Sequence, residues 1–207
     1  MNMKHTHESG RSMIEMLGVL AIIGVLSVGG IQGYSMAMSK FKVSKTTDQV
    51  QTMVTNIRTL FAGSRTYNGL KSDSGNYANA HTLGVFNDEI CDNATCANPV
   101  NPYGGSIILA SPNTNQYFSI TYTGLPQDAC TRLVMADWGD ASSGLIAIQA
   151  GGKGGAAPTA AADWTETEKK VYTTKKGTIP VSLTNAINAC TNGADTDNTS
   201  YITWIYR

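Results

Sequence analysis

The chain has 207 residues, with 15 basic and 15 acidic side chains and a charged fraction of 14%. This length suits one compact domain with an appended segment, and the charged fraction is well below the roughly 25% typical of soluble domains. A chain with balanced charge and so few cations has no basic surface for nucleic acid, so we expect no nucleic-acid partner.

An apolar run, MIEMLGVLAIIGVLSVGGI, occupies residues 13–31. It approaches the roughly 20 residues that cross a bilayer core, and no A-x-A signal-peptidase site follows it. Glu15 interrupts the run, and an ionisable group in such a segment indicates a function. In the alternative, a plain membrane anchor, Ser12 and Glu15 form a capping box at a helix start.

The residues ESGRSMIEMLGVLAIIGVLSVGG, at positions 8–30, resemble the processing site of type IV prepilins. In that family a short hydrophilic leader ends in Gly, and the mature chain carries Glu at its fifth position. The resemblance implies that residues 1–10 are the leader and that prepilin peptidase cuts between Gly10 and Arg11 on the cytoplasmic side. It also implies N-methylation of Arg11, a residue that departs from the apolar one usual at this position.

The Gly and Glu of this motif have separate physical roles. Gly10 lacks a side chain, so a peptidase can approach the backbone closely. In a growing fibre Glu15 would lie in apolar surroundings, where an isolated carboxylate is costly. The free N-terminal amine of a neighbouring subunit would neutralise it and favour one axial register.

One long helix is predicted from residue 11 to residue 62, because no proline interrupts this stretch and Gly63 follows it. Residues 11–33 are its transmembrane and fibre-core part, and residues 34–63 are an amphipathic continuation with a stripe at helical spacing, made of Val50, Met53, Val54, Ile57, Leu60 and Phe61. Its glycines either allow close helix packing or favour local unwinding on assembly; they are Gly18, Gly24, Gly29, Gly30 and Gly33. The flanking cations leave the membrane orientation open, so it follows from the resemblance.

Residues 64–207 have the composition of a globular head, with turn residues between short apolar runs. Strands are predicted at 106–110, 116–122, 145–149 and 200–206, and short helices at 126–135 and 181–189. The expected fold class is therefore α+β, with the long N-terminal helix packed on an antiparallel sheet as in the pilin fold. Residues 101–110, NPYGGSIILA, are similar to a stretch of type IVb pilins.

The cysteines Cys91, Cys96, Cys130 and Cys190 fit two disulfides formed in an oxidising compartment. The alternative is four reduced, buried thiols. Sequence alone allows three pairings, although Cys130 and Cys190 lie in or beside the two predicted short helices. The resemblance to pilins, whose C-terminal region is usually bounded by one disulfide, implies the pair Cys130–Cys190 and leaves Cys91–Cys96 as a local staple.

No cofactor, metal site or enzymatic activity is expected. Only His81 remains after leader removal, which leaves little material for histidine catalysis, and no Cys-x-x-Cys pair suggests zinc. The segment at 151–164, GGKGGAAPTAAADW, lacks the Ser or Thr that follows Gly-Lys in a phosphate-binding loop. Asp195, Asp197 and Asn198 fit a turn better than a calcium loop.

The resemblance implies a structural subunit of a type IVb-like pilus that serves adhesion, aggregation or conjugation. The expected partners are further copies of the chain in a helical homopolymer, prepilin peptidase and the pilus assembly machinery of the inner membrane. The precursor would lie in the bacterial inner membrane before it joins an extracellular pilus. The alternatives are a minor pilin, a pseudopilin of a type II secretion system, or a membrane-anchored periplasmic binding domain.

Overall fold

The computed structural model describes residues 9–64, 66–70, 77–111, 116–152, 171–173, 178–191 and 199–207, with side chains except at 9–12, 171 and 199. The chain divides into two compact units, Met1–Phe41 and Lys42–Arg207. The second unit, which we call the head, contains all the strands that the structure describes.

Helix α1, Ser9–Leu60, is 52 residues long and crosses from the first unit into the head. It already includes Ser9, two residues before the predicted start, and it ends two residues before the predicted end. Inside the head, the predicted apolar stripe is buried at Val50, Met53, Val54 and Ile57. Leu60 was assigned to that stripe wrongly, since it is the last residue of the helix and is 42% exposed.

The head contains a five-stranded antiparallel sheet in the order β1-β2-β5-β3-β4. Its strands are β1 Ile107–Ala110, β2 Phe118–Pro126, β3 Leu145–Gly152, β4 Val171–Thr173 and β5 Thr199–Tyr206. Strand β5 pairs with both β2 and β3, so the last strand in sequence is the central one. The four predicted strands are confirmed with shifted ends, whereas β4 is too short to show a strand pattern.

In the part of the head that the structure describes, three short helices accompany the sheet: α2 Ala78–Thr82, α3 Gln127–Met135 and α4 Leu183–Cys190. The two predicted short helices correspond to α3 and α4, while the five-residue α2 was not predicted. Ser182 caps α4 by accepting a hydrogen bond from the Asn185 amide, which stabilises the helix start.

One buried cluster joins the stripe of α1 to the sheet and to α3 and α4. Trp204 on the central strand is its largest fully buried side chain. The Trp204 ring lies 4.7 Å from the ring of Trp138 and 5.6 Å from that of Tyr122, measured between centroids. Aromatic pairs at these separations add to the stability that burial provides, so this cluster stabilises the packing of the helices on the sheet centre.

Strand β1 lies at the edge of the sheet, and three of its outward backbone groups are bonded within the chain. The Tyr77 hydroxyl accepts a hydrogen bond from the Leu109 amide at 3.2 Å and donates one to the Leu109 carbonyl at 3.4 Å. The Ile107 amide donates to the Pro99 carbonyl at 2.9 Å. These bonds make the edge a poorer template for pairing with another strand.

Candidate assembly segment and disulfide-bonded head

The N-terminal part of α1 exposes large apolar side chains on all its faces. Ile14, Leu20 and Val25 are 74%, 61% and 75% exposed, and most positions between residues 13 and 31 behave in the same way. Within the described residues, one helix contains a stretch apolar and long enough to cross a membrane by length and composition, and none of that stretch is buried. An all-round apolar helix is typical of burial in lipid or among other helices.

Glu15 stands out in this segment, because no other acidic residue occurs between Ser9 and Thr47. It lies on α1 and is exposed, between the exposed side chains of Ile14 and Met16. Any chain or lipid that covers this surface therefore meets one carboxylate within a large apolar area. Desolvation of that carboxylate requires a compensating charge or hydrogen bond.

The capping-box interpretation of Ser12 and Glu15 is wrong for this chain. An N-cap residue lies outside the regular helix, but α1 already includes Ser9, Gly10 and Arg11. Gly10 and Arg11 are thus placed in the first turns of the described helix. Cleavage after Gly10 and methylation of Arg11 remain predictions.

The glycines of the apolar segment do not interrupt α1, which continues through Gly29 and Gly30. A Cβ atom added at any of these positions would meet nothing within 4 Å; they are Gly18, Gly24, Gly29, Gly30 and Gly33. The fold of the single chain therefore does not require glycine at these positions. The reason for glycine at these positions is therefore either close packing against other helices or local unwinding on assembly.

Polar contacts attach the part of α1 that lies in the head, residues 42–60, to loops of the head. The Asn56 amide group donates to the Gly84 carbonyl at 2.9 Å. Two charged contacts have the same effect, Lys45 with the Glu89 carboxylate and Arg58 with the Ser143 carbonyl. Since these loops lie far from α1 in sequence, the contacts fix the helix relative to the sheet.

Two disulfides close loops of very different length in the head. Cys130 on α3 is bonded to Cys190 on α4, with 60 residues of separation and a Cα–Cα distance of 5.8 Å. Cys91 is bonded to Cys96 across a separation of five residues. All four cysteines are buried, and this is the pairing that the resemblance to pilins implies.

Burial raises the pKa of several tyrosines in the head. It raises the pKa of Tyr103 to about 12, helped by the charge of Asp128 and opposed by Arg132. Burial also raises the pKa of Tyr206 to about 12, against the opposing charge of Arg58. These phenols stay neutral at physiological pH. The Tyr206 hydroxyl donates to the Trp138 carbonyl at 3.2 Å, whereas Tyr103 packs against the core cluster.

The acidic residues near Cys91 are engaged separately and do not converge on a common point. His81 Nε2 lies 3.0 Å from Asp88 Oδ1, Glu89 pairs with Lys45, and Asp92 accepts from the side chain of the next residue. Within the described ranges, no group of three or more His, Cys, Asp or Glu residues is arranged to hold a metal. Residues 153–164, Asp195, Asp197 and Asn198 lie outside the described residues.

Comparison with known protein families shows which family this chain belongs to. A family model described as PilS N terminal matches residues 40–205. The chain belongs to this family. The matched region includes residues 40–60 of α1 and almost all of the head, and the predicted resemblance to type IVb pilins is confirmed.

Two Escherichia coli proteins, from O127:H6 and O111:H-, are each described as the major structural subunit of bundle-forming pilus. Each is 28% identical to this pilin over 147 residues, which is 69% of this chain and 72% of the relative. TcpA, a type IV pilin from Vibrio cholerae El Tor biotype, superposes with a TM-score of 0.52 at 18% identity. That superposition covers 80% of this chain and 99% of TcpA, and it confirms the predicted pilin fold.

Sequence reasoning did not find the contacts that orient α1 in this pilin. Arg58 follows the buried Ile57 on the helix and reaches a carbonyl 85 residues further along the chain. Only the position of a cation in the last turn of a helix could have drawn attention to it. Lys45 and Glu89 are 44 residues apart, a spacing without any local signature.

Proposed function

We infer that this pilin is a structural subunit that polymerises through its N-terminal helix into a type IVb-like pilus. The all-round exposed apolar part of α1, with Glu15 as its one acidic residue, carries this inference. A folded, disulfide-bonded head of the pilin family adjoins that helix. The E. coli relatives, described as major structural subunits, support the same role here.

Before assembly, the protein is a membrane-anchored precursor. We place it in the bacterial inner membrane, with the leader on the cytoplasmic side, where prepilin peptidase removes residues 1–10. The peptidase cuts between Gly10 and Arg11 and methylates the new amino group of Arg11. Pilus assembly machinery in that membrane then transfers the subunit to the fibre, and the fibre extends outside the cell.

In the fibre, the apolar part of each α1 is surrounded by the apolar parts of α1 from neighbouring subunits instead of by lipid. Each Glu15 carboxylate is then desolvated, and the N-terminal amine of a neighbouring Arg11 neutralises it. Breaking such a pair on one side leaves a buried charge at a cost of about 3–5 kcal/mol. The pair therefore selects one axial register and disfavours the others.

The assembly role is tested by comparing Glu15→Val with Gln32→Val, a matched polar-to-apolar change in the same exposed segment. Both variants keep the apolar helix and should insert and be processed normally. Because the energetic loss in Glu15→Val is several kcal/mol, we expect at least about tenfold less sheared fibre. Fibre yield is measured by shearing cells and by electron microscopy. Normal piliation by Glu15→Val, or an equal loss in Gln32→Val, contradicts the role.

The processing step has its own test, the variant Gly10→Val. A branched side chain at the scissile bond blocks the close approach that Gly permits. The expected product is an uncleaved chain that remains in the membrane fraction and forms no fibre. Efficient removal of residues 1–10 from this variant would contradict the assigned role of Gly10.

A further inference from the structure

Tyr34 and Lys40 mark the end of the apolar segment of α1. Tyr34 is 69% exposed, and Lys40 is also exposed. Between Glu15 and Lys40 the chain carries no charged residue. The head, as a compact unit, begins two residues after Lys40, at Lys42. Both side chains thus lie on a regular helix at the limit of its membrane-compatible part.

Helix geometry gives the depth of each residue in a bilayer. From residue 13 to residue 33, α1 rises about 30 Å at 1.5 Å per residue, which equals the thickness of the hydrocarbon core. Tyr34 then coincides with the boundary between hydrocarbon and headgroups. The backbone of Lys40 lies about 9 Å further along the axis, just beyond a headgroup layer that is about 5–7.5 Å thick on each side, and its long side chain reaches back to the headgroups.

We propose that Tyr34 and Lys40 form a lipid-headgroup contact that sets the depth of the membrane-inserted precursor. The proposal rests on the membrane stage of the proposed function. The partner is the phosphate layer of the phospholipids on the side of the head. The Lys40 ammonium pairs with lipid phosphate, and the Tyr34 ring places its apolar body in the acyl region with its hydroxyl among the headgroups.

The consequence is a defined register for the whole segment. With Tyr34 and Lys40 at one interface, Glu15 lies close to the opposite one, near the predicted cleavage site. If both anchoring groups are lost, the uncharged stretch extends through Phe41, and the helix is free to slide deeper. The residues that emerge from the membrane on the side of the head would then be drawn into it.

The chain offers natural reporter positions for this register, since serines occur on α1 at Ser27, Ser35, Ser39 and Ser44. All four native cysteines are in disulfides, so one Ser→Cys change gives a single reactive thiol. The full chain is reconstituted in vesicles of phosphatidylethanolamine and phosphatidylglycerol and treated with a membrane-impermeant maleimide. We expect Ser27→Cys and Ser35→Cys to be protected and Ser44→Cys to react, with Ser39→Cys intermediate.

The deciding measurement combines Ser39→Cys with Tyr34→Leu and Lys40→Gln. Measured relative to the rate of the same protein in denaturing detergent, which corrects for the direct effect of Lys40 on thiol reactivity, the labelling rate should fall about fivefold, the factor expected for one lysine at a lipid surface. The matched control Lys45→Gln removes the same charge from a lysine that pairs with Glu89 in the head, and it should leave the rate unchanged. An unchanged rate in the Tyr34 and Lys40 variant, or an equal fall in the control, overturns the headgroup contact and leaves the proposed function intact. Labelling of Ser27→Cys as fast as Ser44→Cys shows no insertion and contradicts the membrane stage as well.

Discussion

The two disulfides of the head should contribute unequally to its stability. Cys130–Cys190 joins residues that are 60 apart in sequence, whereas Cys91–Cys96 joins residues that are five apart. In the chain-entropy treatment, the Cys130–Cys190 bond stabilises the fold by about 4 kcal/mol and the Cys91–Cys96 bond by about 2 kcal/mol. A typical domain has a free energy of unfolding of about 5–15 kcal/mol. Loss of the longer bridge alone would therefore remove a large share of the stability.

The assay compares two double variants, Cys130→Ala with Cys190→Ala and Cys91→Ala with Cys96→Ala. All four side chains are buried, so the loss of packing is similar in both variants and the difference of about 2 kcal/mol reflects loop length. Urea unfolding of the full chain in a non-denaturing detergent is followed by the fluorescence of the buried tryptophans. Equal destabilisation, or a greater loss in the variant without the short bridge, would refute the reasoning.

Two further outcomes concern the turns of the head. Gly105→Ala should destabilise by about 1–3 kcal/mol, because its Cβ would lie 1.8 Å from the Thr123 carbonyl oxygen. In the same urea assay the control Gly63→Ala, whose Cβ meets nothing within 4 Å, should change stability little. Hydrogen bonds from the Ser142 side chain and from nearby amides hold the pKa of Asp140 below its ordinary value of 3.8. The stability linked to Asp140 is thus present above pH 3.8 and is lost as the pH falls through the lowered pKa. Ser142→Ala should raise the pKa toward 3.8 in an NMR titration of the carboxyl carbon, and an unchanged midpoint would show that the hydroxyl has no such effect.

Local patterns in the sequence predicted most elements of the pilin fold. The spacing of Val50, Met53 and Ile57 indicated the buried stripe because a helix repeats every 3.6 residues. Alternation and turn residues indicated four of the strands. Strand β4 has three residues, Val171–Thr173, and α2 has five, so neither contains enough residues to establish a period.

The contacts that join these elements are non-local, and the sequence offered no signal for them. The central place of β5 depends on pairing with β2 and β3, strands that precede it by many residues. The bonds from Tyr77 to the edge of β1 span 32 residues. The candidate assembly segment is visible for a different reason, since one carboxylate within a long apolar run can be read without any tertiary information.

The central claim is that this pilin is cleaved after Gly10 and polymerised through the helix that follows. Mass spectrometry of protein sheared from cells tests it most directly. We expect fibre subunits whose N-terminus is Arg11, with a methyl group on its amine. Fibre subunits that begin at another residue, or an uncleaved chain that stays in the cells, would contradict it.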